Sequence, residues 1–400
     1  MTPNPAPRAT SRRQFLASSA AGAAGAAAAI AASPTLGGRP AAPVGSTGPM
    51  AETGPVVKTV SKTGAGPVTV GEGEHTYLVD HNWLQLPDRY TWQTTHNIAV
   101  DKSGNVYVIH EGNPQKKDHP SIFVFDADGR FIRAFGSQFQ GGGHGIEVRE
   151  EAGEEFLYIA GYLSVKALSK LTLTGDVVWH HRAPMQSGRY AEGENTITQS
   201  KWGRRHFNPT NFAFLEADDP GGEALLVADG YGAFCIHRYS RAGEWQSAFG
   251  EPGKADGQFN TPHGLWIDRR GGGAPKVAVA DRANGRLQWF TLDGEHLMTQ
   301  GGFLLPANID TRGDVMLVPD LQARVTLLGA DNQVIAQLGE DQPWREQVLA
   351  DGFKLRSQPE KWRDGRFLHP HDACFDADGN ILVAEWVAGG RVSKLSRVDA

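Results

Sequence analysis

From about residue 75 onward the chain repeats one unit: a short apolar alternation, an Asp/Gly turn, a Val-rich strand ending in an acidic residue, then two more short strands about a second turn. The first copy reads His96-Asn97-Ile98-Ala99-Val100-Asp101, followed by Val106-Tyr107-Val108-Ile109, Ile122-Phe123-Val124-Phe125 and Phe131-Ile132-Arg133-Ala134-Phe135. Later copies open at His144, Thr210, His263, Ala307 and His371. These starts lie roughly 45–65 residues apart, which suits a four-stranded unit of ~40–50 residues carrying insertions. Gly and Asn/Asp at Lys102-Ser103-Gly104-Asn105, Ala127-Asp128-Gly129, Leu292-Asp293-Gly294 and Ala377-Asp378-Gly379-Asn380 supply the positive φ of strand-to-strand turns. Six such units closing on themselves make an all-β, six-bladed β-propeller. The last copy runs close to the C-terminus, so its outermost strand is expected from Thr76-Tyr77-Leu78-Val79, which closes the ring and removes the open sheet edge. Two blocks fall outside the rhythm, Arg182 to His206 and Asp341 to Phe367, and read as polar loops capping one face.

The segment before the repeats is of another kind. Ser11-Arg12-Arg13-Gln14-Phe15-Leu16 precedes an Ala/Gly-rich run, so residues 1–33 resemble a twin-arginine export signal. That run is too short and too weakly apolar for a stable membrane span of about 20 residues. Residues 34–74, rich in Pro, Gly, Thr and Ala, read as a flexible linker, and residues 75–400 as the propeller. The expected location is periplasmic or secreted, after export in the folded state. A net charge of −6 and a pI near 6.2 leave no positive field to displace counterions from phosphate, which argues against nucleic acid as a partner. The two cysteines, Cys235 and Cys374, lie in different blades and read as buried free thiols rather than a bridge. The chain is expected to be a monomer acting on a small molecule or peptide.

Histidines concentrate at one repeat position. The opening residues of the six copies are His96, His144, Thr210, His263, Ala307 and His371. With 14 histidines in 400 residues, chance would place about 0.2 of them at six equivalent positions. In a propeller this position lies at one mouth of the central channel, so the imidazoles should converge. Imidazole is the commonest protein ligand for Zn²⁺, and three ligands with an open position is the pattern of a catalytic centre. Any single histidine also has the reading of a core side chain satisfied by a backbone carbonyl. Asp372 offers a hard oxygen for Ca²⁺; its other reading is a strand-start carboxylate that accepts backbone amides. Tyr231 and Arg282 close matching strands in successive blades. Near a metal they could serve as general base and electrostatic stabiliser; alternatively they line a wet channel.

Val227-Ala228-Asp229-Gly230-Tyr231, Pro262-His263-Gly264-Leu265 and Ala280-Asp281-Arg282-Ala283-Asn284-Gly285-Arg286 together resemble the NHL-repeat lyase domain of peptidyl-α-hydroxyglycine α-amidating lyases. Gly143-His144-Gly145-Ile146 and Pro370-His371-Asp372 are similar to its other histidine motifs. The resemblance implies Zn²⁺, or another divalent transition metal, on His144, His263 and His371. It further implies Ca²⁺ on Asp372 and the carbonyls of Ile98 and Ile146, with Tyr231 as base and Arg282 as an active-site arginine. The implied reaction is elimination at a carbinolamide, releasing an amide and glyoxylate. Four positions depart from the family pattern: Glu111 stands where the family has arginine, His369 where it has methionine, Gly232 where it has a cysteine beside the tyrosine, and His96 is an added imidazole. The Glu111 exchange reverses a charge and is expected to repel a substrate carboxylate, so an altered substrate follows, with Glu111 or His96 taking over proton transfer or a second metal. The alternative is a non-catalytic propeller presenting its loops to a glycan, peptide or protein, with the metals only tying blades together.

Overall fold

The structure, a computed structural model, describes residues 68–196, 199 and 201–398. The export-signal reading of residues 1–33 lies outside them, as does most of the linker reading. Six antiparallel sheets follow one another along the chain as the blades of a β-propeller. Blade 1 comprises Thr95–Val100, Val106–His110, Ile122–Phe125 and Phe131–Phe135, and blade 2 Gly143–Glu151, Glu154–Gly161, Ala167–Thr172 and Val177–His181. Blade 3 comprises Asn211–Leu215, Ala224–Ala228, Ile236–Tyr239 and Trp245–Phe249, and blade 4 Pro262–Asp268, Lys276–Asp281, Arg286–Phe290 and His296–Gln300. Blade 5 comprises Asp310–Arg312, Val315–Asp320, Arg324–Leu328 and Val334–Leu338. Blade 6 takes Pro370–Phe375, Ile381–Glu385 and Arg391–Arg397 from the end of the chain, then Tyr77–Asp80 from its beginning. A fifth strand, Val68–Val70, pairs outside Tyr77–Asp80 and lies before the expected boundary near His75.

The core sits between blades. Side chains alternate across each strand, so each blade presents one apolar set to either neighbour. In Ala224–Ala228, Leu225 and Val227 pack with Tyr158 and Leu168 of blade 2, while Ala224, Leu226 and Ala228 pack with Leu265 and Val279 of blade 4. Six such clusters fill the six interfaces, blade 6 against blade 1 included. At the hairpin turns Gly104 and Gly129 both have φ 81°, a conformation that a side chain resists. Both cysteines are free, Cys235 buried and Cys374 partly so.

The two inserted blocks are more structured than polar loops. Arg182–His206 carries a short 3-10 turn, Met185–Ser187, and a buried anchor in which Glu194 meets the Lys166 ammonium, with both side chains fully buried. His206 Nδ1 at 2.9 Å and the Phe207 N–H at 2.9 Å also reach Glu194. The second block contains a helix, Gln342–Leu349, whose N-terminus is capped by Asp341 accepting from the Trp344 N–H at 2.9 Å. Trp344, Val348 and Trp362 bury together with Leu368 and Val387, and that apolar set explains why this block folds rather than remaining a loop.

Candidate functional site

One backbone hydrogen bond recurs in every blade and lays out the mouth of the channel. The N–H of the residue just after the second strand, or in blade 3 of the third residue past its end, donates to the carbonyl two positions before the repeat-opening residue. These bonds are Glu111 to Thr94, Tyr162 to Gly142, Tyr231 to Asn208, Arg282 to Thr261, Leu321 to Leu305 and Trp386 to His369. The mouth therefore has two tiers. The lower holds His96, His144, Thr210, His263, Ala307 and His371; the upper holds Glu111, Tyr162, Tyr231, Arg282, Leu321 and Trp386.

In the lower tier, blades 2, 4 and 6 each donate an imidazole N–H to the equivalent residue of the next blade. His144 Nδ1 reaches the Thr210 carbonyl at 2.8 Å, His263 Nδ1 that of Ala307 at 2.6 Å, and His371 Nδ1 that of His96 at 2.7 Å. Each bond places the single proton of a neutral imidazole on Nδ1 and leaves Nε2 as a bare lone pair. The three ring centroids form a near-equilateral triangle with sides of 4.8, 4.8 and 4.7 Å. His144 Nε2 and His263 Nε2 stand 3.2 Å apart. Burial, joined by Arg282 and the neighbouring imidazoles, holds all three well below the ordinary histidine range, so neither nitrogen of that close pair carries a proton. Converging lone pairs without a proton between them are the donor set of a cation, and the residues fit a divalent transition metal on that ground.

His96 stands outside the triangle, its ring 4.7 Å from His144 and 4.6 Å from His371. One nitrogen of each of these three rings lies within 4.8 Å of the others. His96 nonetheless differs in how it is held: Nε2 lies 3.3 Å from Glu111 Oε2, and Nδ1 is buried without a hydrogen-bond partner. His144, His263 and His371 share a tautomer that leaves Nε2 without a proton, whereas His96 is held through Nε2 by Glu111.

Tyr231 lies directly on this set. Its hydroxyl is 3.1 Å from His263 Nε2 and accepts from Arg282 Nη1 at 3.1 Å, so the phenol proton points at His263. Burial keeps the phenol above its usual range while Arg282 pulls it down. The expected loss of that proton called for a metal as well as a cation, and Arg282 supplies the cation. The other predicted group lies further along the channel. Asp372 Oδ2 accepts the Ile98 N–H at 2.9 Å and Oδ1 accepts from Asn308 Nδ2. Burial pushes this carboxyl up to about 7 against those bonds. Ile98 thus presents its N–H to Asp372. Ile146 is fully buried at the matching place in blade 2, paired with Ile159.

Three contributors to the mouth escape a reading of motifs. Tyr162 packs 4.9 Å from His144 and 5.4 Å from Tyr231. It holds the same repeat position as Glu111, Tyr231 and Arg282, and that equivalence is the signal that finds it. Trp202 comes from the first insertion and lies 5.5 Å from Tyr231. Arg356 comes from the second, stacked 3.2 Å over Trp386. Burial pushes Arg356 down to about 10, with Glu111 and Tyr162 opposing. The acid at Glu111 is therefore faced by a cation from a different element, which offsets the charge reversal expected from Glu111 alone.

No family model matches the chain. It is 26% identical over 321 residues to peptidyl-α-hydroxyglycine α-amidating lyase 1 of Drosophila melanogaster, covering 72% of this chain and 54% of that protein. It is also 26% identical over 224 residues to the peptidyl-glycine α-amidating monooxygenase of Mus musculus, covering 51% of this chain and 21% of that protein. The chain thus spans about half, or less, of these curated relatives. Among solved structures, a gluconolactonase from Xanthomonas campestris superposes with a TM-score of 0.52 at 12% identity, over 86% of this chain and 97% of that one. A protein of unknown function from Bacteroides thetaiotaomicron gives 0.50 at 13% identity, over 82% and 76%. The chain is a six-bladed β-propeller with weak homology to the amidating lyases. Among the described residues no helix is long and apolar enough to cross a membrane.

Proposed function

We propose that the chain is an exported metal-dependent lyase acting on a small molecule or peptide, related to the amidating lyases but with an altered substrate. The observation that carries this reading is the triangle of His144, His263 and His371, with three Nδ1 protons tied to carbonyls, which leaves the three Nε2 lone pairs to serve one centre once the Tyr231 hydroxyl turns from His263. Zn²⁺ or a similar divalent ion held there would act as a Lewis acid on substrate oxygens. The remaining roles belong to the chain. With a metal beside it as well as Arg282, Tyr231 would give up its own proton, and its oxygen, held by Arg282, would then take the proton of a substrate hydroxyl. As the carbonyl forms, the bond between carbon and the leaving nitrogen breaks, and its electron pair stays on nitrogen. The His96–Glu111 pair, with its nitrogen and oxygen 3.3 Å apart, returns a proton to that nitrogen. Asp372 fits Ca²⁺ as a buried carboxylate beside Asn308 Oδ1, a buried oxygen without a hydrogen-bond partner.

Metal analysis tests the reading first. The purified protein should carry about one equivalent of transition metal, and His263→Ala should lose it; a metal-free protein, or an unchanged content in the variant, removes the proposal. Tyr231→Phe should retain both metal and fold while turnover of an amidating-lyase or related substrate falls by about 100-fold or more. Undiminished turnover would remove Tyr231 from its role.

A further inference from the structure

Above the histidine triangle, on the side of blades 2 and 3, Tyr162 and Tyr231 lie with ring planes 33° apart and centroids 5.4 Å apart. Trp202 stands nearly upright to both, at 79° to Tyr231 and 73° to Tyr162, with centroids at 5.5 and 6.3 Å. The three rings make a corner. Both tyrosines rest against His144, and Tyr231 also rests against His263 at 5.4 Å, so this corner abuts the triangle. Trp202 is 37% exposed, unusual for so large an apolar side chain brought over a polar site by a folded insertion. Charged groups flank the corner: Arg282 donates to the Tyr231 hydroxyl at 3.1 Å, and Glu111 and Arg356 lie beside Tyr162.

We propose that this corner is a subsite for an aromatic ring of the substrate, joined closely to the group that reacts at the triangle. The inference rests on the metal reading above. A planar ring placed in the corner can lie along the exposed Trp202 and meet the tyrosine rings edge-on, which are favourable arrangements for aromatic pairs. A cationic occupant is the other ligand that aromatic rings take. Here it is opposed by Arg282, whose guanidinium already lies 5.1 Å from the Tyr231 ring centre, by Arg356, and by any metal on the triangle. The single acid, Glu111, is already faced by His96 and Arg356. An uncharged aryl group suits this balance, and the two insertions then divide the work, one supplying the ring contact and the other a charge.

Benzohydroxamate and acetohydroxamate provide the test, since they share a metal-chelating head and differ in the aryl group. Titrated calorimetrically into the zinc-loaded full chain, benzohydroxamate should bind about tenfold more tightly. In Trp202→Ala the ratio should fall to within about twofold while zinc content and acetohydroxamate affinity hold, and Trp202→Phe should keep most of the preference. A ratio near one in the unaltered protein, or a preference that survives Trp202→Ala, overturns the aryl subsite and leaves the metal reading standing. If acetohydroxamate itself does not bind, the metal reading fails and the subsite defined against it fails too.

Discussion

Trp245 Nε1 donates to His237 Nδ1 at 3.1 Å, which puts that imidazole's proton on Nε2, 2.6 Å from the Tyr190 hydroxyl. Tyr190 in turn donates to Asp229 Oδ2 at 2.8 Å. Asp229, Cys235 and His237 bring ligand atoms within 4.8 Å of one another, as a metal site would. A protonated Nε2 cannot ligate, however, and the tyrosine hydroxyl already joins His237 to Asp229. The contrast with the triangle is one of tautomer, and it separates a hydrogen-bonded chain from a candidate metal centre. Burial drives both His237 and His369 down to about 3. An unfolded histidine titrates near 6.5, so below that pH the unfolded chain takes up protons that the folded chain refuses. The stability these groups contribute is complete above about pH 6.5 and is lost as pH falls toward 3, at about 1.4 kcal/mol per pH unit for each. The urea midpoint should therefore drop between pH 7 and pH 5, and His237→Asn should show a shallower drop from a lower starting stability. An equal slope in that variant would contradict the assignment.

At the scale of elements, what could be read in advance followed the repeat. His144, His263 and His371 were legible because they hold one register position, and Glu111, Tyr231 and Arg282 because they follow matching strands. Tyr162 occupies that same place but follows a long strand, Glu154–Gly161, whose polar start hides the rhythm. Trp202 and Arg356 were not legible at all, because insertions have no register and only packing brings them over the mouth. That packing depends on few groups in the first insertion. The Lys166–Glu194 pair has no exposure to water, so removing one charge strands the other in a medium that cannot solvate it. Glu194→Gln should cost about 3–5 kcal/mol in urea unfolding and should weaken whatever binding Trp202 supports. The double change Lys166→Met with Glu194→Leu should recover most of that stability. A single variant as stable as the parent would show that the insertion is anchored elsewhere.

At the scale of the molecule, the triangle draws on alternate blades, so its geometry requires a closed ring. An opening between any two blades would move one histidine relative to the others. Closure depends on Tyr77–Asp80, whose register sets Tyr77 against Arg397, Leu78 against Ser396 and Val79 against Leu395. Val68–Val70 adds only an outer edge, with Thr69 against Leu78. Proline at Leu78 removes a ladder donor from a strand flanked on both sides, while proline at Thr69 perturbs an edge strand, where proline is tolerated. Leu78 is 42% exposed, so the comparison deletes little apolar burial and isolates the backbone effect. Each ladder group left unpaired costs about 1–3 kcal/mol. Leu78→Pro should therefore lower the melting temperature well below that of Thr69→Pro, free the edge of Arg391–Arg397, and produce self-association on a sizing column. It should also weaken metal retention, because blade 6 carries His371 and is the blade that closure holds in place. Equal melting temperatures and equal metal content in the two proline variants would mean that inter-blade packing alone keeps the ring shut.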